Sequence, residues 1–145
     1  MTPKEYLSQI GDLNAKINQR LAERDELKSM MYQLGGGGSS ERVQTSAKNE
    51  APFVRLVERL EMIENEISSL VDNYVDKKTT IIEQIQSMEN KNYMNLLYKR
   101  YVEGKRLELI AVEMNYSYLY TRQMHGKALL DFGKKFLKDV TQSHI

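Results

Sequence analysis

Four consecutive glycines, Gly35 to Gly38, followed by Ser39-Ser40, separate two segments that each repeat apolar residues at alternating steps of three and four. A glycine inside a helix costs roughly 1 kcal/mol relative to alanine, so four in a row end one helix and the period restarts beyond them. In the first segment Tyr6, Ile10, Leu13 and Ile17 form a seam, and Leu27, Met31 and Leu34 resume it. Arg20 and Arg24 interrupt it, with Leu21 displaced by one position. From about Pro52 a second seam runs through Leu56, Leu60, Ile63, Ile67, Leu70 and Tyr74. Lys77 takes the next place in register, and Ile81, Ile85 and Met88 continue with one step out of phase. Spacing of this kind keeps one stripe of a helix turned towards a partner.

Two such helices bury both seams most simply as an antiparallel hairpin, closed by a loop over residues 35–51, where the polar stretch to Asn49 has no period. The same seams can also pair between chains, which makes a homo-oligomer through the coil an open alternative. Thr2-Pro3-Lys4-Glu5 reads as the start of the first helix, with Thr2 as N-cap, Pro3 in the first turn and Glu5 returning a hydrogen bond. The expected organisation is a two-helix region over 1–89 and a separate domain over 90–145.

Long stretches of Glu, Lys, Gln, Leu, Ile and Met with only two prolines favour helix throughout, so the expected fold class is all-α. The absence of cysteine excludes disulfide staples and thiolate metal sites. No stretch approaches the roughly 20 apolar residues of a membrane span, and Met1 to Tyr6 lacks a signal core, so a cytoplasmic protein without membrane contact is expected. Net charge is only +1, but it is segregated: residues 1–90 carry 11 Lys/Arg against 15 Asp/Glu, and residues 91–145 carry 10 against 5. A basic C-terminal segment suits a polyanion.

In that segment Leu96, Leu97, Tyr101 and Val102 give a third helix an apolar face, and Gly104 stands where a left-handed cap belongs. Leu107, Ile110, Ala111 and Met114 form one face of a short helix broken by Asn115-Tyr116-Ser117. Ser117 is a suitable N-cap for another helix, with Met124, Ala128, Leu129 and Phe132 turned inward. Ala111 is small where two helices cross, Asn115 tolerates a left-handed backbone, and Tyr116 can fill the angle between them. A helix held in this way can enter the major groove of duplex DNA, with Tyr118, Tyr120, Thr121, Arg122, His125 and Lys127 on its outward surface.

Leu96-Leu97, Arg100-Tyr101, Gly104, Leu107, Ile110-Ala111, Met114, Ser117, Arg122-Gln123 and Lys127-Ala128-Leu129 resemble, at matching spacing, region four of bacterial sigma factors, the part that reads promoter DNA. The resemblance implies that Arg122 and Gln123 face the DNA. Tyr118 and Leu119 depart from the family pattern, which has charged residues there, so the promoter element read by a housekeeping sigma factor is not carried over. Lys4-Glu5-Tyr6-Leu7, Arg42 to Ser46, the coil from Glu66 to Lys78, and Glu113 to Tyr118 with His125-Gly126 resemble a family of small phage- and prophage-encoded proteins of Gram-positive bacteria. That likeness implies a phage-type regulator of transcription, of the late-gene kind.

The expected DNA-binding residues are therefore Tyr118, Thr121, Arg122, Gln123, His125 and Lys127, with Lys105 and Arg106. Arg122 can bind guanine O6 and N7, Gln123 adenine N6 and N7, and the lysines and Arg106 phosphates. Two histidines are too few for a metal site, no cofactor motif is present, and no catalytic triad, phosphate-binding glycine loop or carboxylate pair stands out, so no enzymatic activity is expected. Two alternatives share these features. One is a module that docks on RNA polymerase or another phage protein, and the other is a small DNA-packaging subunit of the terminase kind.

Overall fold

The computed structural model describes residues 1–35 and 42–137, with side chains for 1–34 and 50–137. Over these residues the protein is all-α, a long helical hairpin followed by a C-terminal helix-turn-helix, with no strand. Helix α1 runs Pro3–Gly35 and α2 runs Arg42–Gln86. The head adds α3 (Lys91–Leu97), continued by one π-helical turn (Tyr98–Val102), then α4 (Leu107–Met114) and α5 (Tyr118–Phe136).

The start of α1 has the reciprocal cap that its sequence predicts. The Glu5 backbone N–H donates to Thr2 Oγ1 at 3.1 Å, and the Thr2 N–H donates to Glu5 Oε1 at 3.0 Å. α2 differs from expectation, because it begins at Arg42 and takes residues 42–51 out of the predicted loop. Residues 42–51 contain no glycine, and Ala47, Lys48, Glu50 and Ala51 favour helix. Pro52 therefore lies inside the helix, where it forfeits the one backbone bond its missing N–H would have made. Gly36 to Glu41 lie outside the described residues.

The chain divides into two compact units, Asn14–Asn73 and Met1–Leu13 with Tyr74–Ile145. In the first, Ile17, Leu27 and Ile63 are buried along the two seams. Where Arg20 interrupts the apolar pattern, ions take over: Arg20 Nε meets Glu66 at 2.9 Å, and Glu23 bridges Arg20 at 2.9 Å and Arg59 at 2.7 Å. Positions rising along α1 pair with positions falling along α2, which is the antiparallel register of a hairpin. Arg59, then Arg20, holds the Glu23 carboxyl below the usual range.

The second unit is larger than the 90–145 segment that the sequence suggests. Its core joins Leu7 and Ile10 of α1 and Ile81, Ile85 and Met88 at the end of α2 to Leu96, Leu97, Tyr101, Ile110, Met124, Ala128 and Phe132. Three short helices alone cannot bury their apolar faces completely, and the first turns of α1 and the last of α2 cover what remains. Tyr6 makes the join specific: its hydroxyl donates to Gln84 Oε1 at 2.7 Å, and its ring meets Phe132 edge-on at 5.9 Å.

Candidate nucleic-acid interface

Two left-handed residues set the geometry of the head. Gly104, at φ 71°, ends the α3 and π segment, while the N–H groups of Glu103 and Lys105 close back on the carbonyls of Tyr98 and Lys99, both at 3.0 Å. Asn115, at φ 61° and ψ 40°, ends α4, and the Tyr116 N–H returns to the Ala111 carbonyl at 2.9 Å. Ser117 then caps α5, its hydroxyl oxygen accepting from the Tyr120 N–H at 3.1 Å. Tyr116 packs on the core and meets the Tyr120 ring at 4.9 Å, filling the angle between α4 and α5. The turn is thus three residues long and fixed at both ends.

Beyond this turn α5 has one inward face, formed by Thr121, Met124, Ala128 and Phe132 with Leu129 half-buried behind them. At about 100° per residue, Gln123 points almost directly away from that face. Arg122 and Tyr118 lie on one flank, with the Arg122 guanidinium 5.7 Å above the Tyr118 ring. Tyr120 and Lys127 lie on the other. Tyr118, Tyr120, Arg122, Gln123 and Lys127 are all exposed.

Two residues expected on the outward surface are not there. Thr121 is fully buried, its hydroxyl donating to the Ser117 carbonyl at 2.9 Å. A threonine whose hydroxyl is satisfied within its own helix presents its methyl group to the core as a small apolar side chain does. His125 is half-buried, with Nε2 2.8 Å from the Tyr101 hydroxyl and the two rings stacked at 5.7 Å. Burial, aided by the charges of Arg100 and Lys4, lowers its pKa to about 4, so it brings no positive charge to the surface near neutral pH.

The basic residues also separate into two groups. Lys105 is held by both oxygens of Glu113 at 3.0 Å and by Glu103 at 3.2 Å, which raises its pKa and leaves its ammonium paired within the head. Lys99 shares Glu113 at 2.8 Å, and the two lysines hold that carboxyl low. Arg106 is open, its side chain 84% exposed and its nearest carboxylate, Glu108, at 3.9 Å. Among the described residues Lys127 and Lys134 make no ion pair.

The surface carries apolar groups that a polar pattern does not announce: Leu109 and Val112 on α4, and Leu119 and Leu130 on α5, are exposed. Each breaks the periodicity of its helix, and that is the signal by which they could have been found. Among the described residues no cluster of three or more His, Cys, Asp or Glu side chains is placed to hold a metal ion, and no helix is long and apolar enough to cross a membrane. Compared with family models, with curated proteins and with solved structures, the chain matches none.

Proposed function

We propose that the protein binds duplex DNA through α5 and regulates transcription in a bacterial cell, as the sigma region-four and phage-regulator resemblances imply. The observation that carries this reading is the fixed turn from Asn115 to Ser117. It presents Gln123 on the solvent side of α5 with exposed cations on both flanks, Arg122 on one and Lys127 on the other. A helix presented so suits the major groove, where arginine and glutamine recognise purine edges and the flanking cations meet phosphates. Arg106, at the start of α4, adds a solvent-exposed phosphate contact only loosely paired with Glu108, and the hairpin serves dimerisation or contact with RNA polymerase. Selection of bound sequences from a random duplex library, followed by band shifts, tests the reading. Enrichment of one short motif and affinity that falls steeply with salt are expected. Failure to bind any duplex at low salt overturns it.

The exposed Leu109, Val112, Leu119 and Leu130 favour a second reading, in which the head docks on a protein such as the polymerase. Stoichiometric co-purification with a protein, without DNA affinity, would support that reading over the first.

A further inference from the structure

Alongside α5, on the flank away from Arg122, a cleft of about 120 Å³ opens between α5 and the first turn of α3. Asn90, Asn92 and Tyr93 line one side, and Tyr120, Gln123, Met124 and Lys127 the other. We propose that this cleft holds one phosphate of the duplex backbone and so fixes the register of α5 in the groove. The inference rests on the DNA-binding reading above and adds to it a defined subsite, with Asn92 and Tyr93 as contacts outside the helix-turn-helix.

Four observations carry it. No carboxylate lines the cleft, although the head's other basic clusters are interleaved with Glu103, Glu108 and Glu113. Lys127 at its rim makes no ion pair among the described residues, whereas Lys99 and Lys105 are neutralised and Lys135 donates to the Ser87 carbonyl at 2.6 Å. Its other polar lining residues, Asn92, Tyr93, Tyr120 and Gln123, are neutral and carry side chains able to donate. The volume accommodates the free oxygens of a phosphodiester. The helix end itself plays no part, because Asn90 Oδ1 already accepts from the backbone N–H groups of Asn92 and Tyr93 at 3.0 and 3.1 Å. Gln123 links the cleft to base reading, since it borders the site and is also exposed on the solvent side of α5.

The experiment measures affinity of the full chain for a selected duplex across a salt series, with Lys127→Gln and Tyr93→Phe, and with each backbone phosphate replaced in turn by neutral methylphosphonate. Lys127→Gln should make the logarithmic salt slope shallower by about one unit. Tyr93→Phe should weaken binding several-fold at unchanged slope. One methylphosphonate position should weaken the unaltered protein and have little further effect on Lys127→Gln, with melting curves of both variants unchanged. Binding by the unaltered chain with an unchanged slope in Lys127→Gln, and no such coupled position, overturns the subsite and leaves the DNA-binding reading standing. No duplex binding at all overturns both. Shifts of the Asn92 and Gln123 side-chain amide resonances with millimolar inorganic phosphate, without a coupled position on the duplex, assign the cleft to a free anion and overturn the backbone contact.

Discussion

The Tyr101 hydroxyl lies 2.8 Å from Nε2 of His125, tying the π turn after α3 to the middle of α5. Because burial lowers the folded pKa of His125 to about 4, below the ordinary value of 6.5, the unfolded chain takes up the proton first as pH falls. The stabilisation from neutral His125 is therefore complete above about pH 6.5 and is lost progressively down to about pH 4. At most about 1.5 kcal/mol of it, reduced by solvent screening of the half-buried ring, should disappear between pH 6.5 and 5. Glu23 and Glu113 have pKa values held below 4.5, so they stay ionised through that window and lose their contribution only at lower pH. Urea denaturation at the two pH values should show the drop in the unaltered protein and a much smaller one in His125→Phe, which keeps the ring against Tyr101. Equal drops would show that the imidazole is solvated in the folded state.

Two glycines on α5 have opposite roles. A Cβ at Gly126 meets nothing within 4 Å, so Gly126→Ala should stabilise the protein by about 0.5 to 1 kcal/mol through helix preference alone. A Cβ at Gly133 would lie 2.7 Å from Pro3 Cγ, in a ring that cannot swing aside. Gly133→Ala should be destabilising by about 1 kcal/mol, the clash outweighing the same gain in helix preference. Thermal or urea melts of the two variants check the contrast. Stabilisation by both would mean that the start of α1 is not seated on α5 in solution.

The head was legible where backbone geometry dictates residue type. Gly104 and Asn115 are both left-handed, and Ser117 caps α5, because few residue types suit those conformations. Positions whose environment depends on partners far along the chain were not legible. Nothing adjacent to His125 in sequence reveals Tyr101 opposite it, and nothing around Leu7 reveals that it belongs to the core of the head rather than to the hairpin seam. Thr121 is hidden for a related reason: polarity marks a side chain as outward only when its hydrogen bonds are not already satisfied within the protein. The helix over 42–51 was hidden because Pro52 marks a helix start in sequence, yet one proline can be carried inside a long helix when its neighbours favour the conformation.

Lys105 and Arg106 are adjacent in sequence but differ in availability. Glu113 and Glu103 hold the Lys105 ammonium, while Arg106 is open to solvent. In a salt series against duplex DNA, Arg106→Ala should make the logarithmic slope shallower by about one unit, and Lys105→Ala should change it much less. Equal changes would show that Lys105 leaves Glu113 for a phosphate when DNA arrives.

The orientation of α5 makes the sharpest prediction. Gln123 points almost directly away from the buried Thr121, whereas Arg122 lies on the flank over the Tyr118 ring and must leave it to reach a base. A bidentate contact from either residue to a purine is worth about 1 to 3 kcal/mol of discrimination, roughly 5- to 150-fold. Gln123→Ala and Arg122→Ala should each weaken a selected duplex while leaving a scrambled one nearly unchanged, with the larger loss in Gln123→Ala. Thr121→Ala is the control: with no exposed surface it should lower the melting temperature and leave the ratio of selected to scrambled affinity intact. Band shifts on both duplexes, with a melt of each variant, decide the matter. If Arg122→Ala causes the greater loss of discrimination, α5 enters the groove rotated towards the Arg122 flank. The Lys127 cleft on the opposite flank would then turn away from the duplex, so this comparison also constrains where the backbone phosphate can sit.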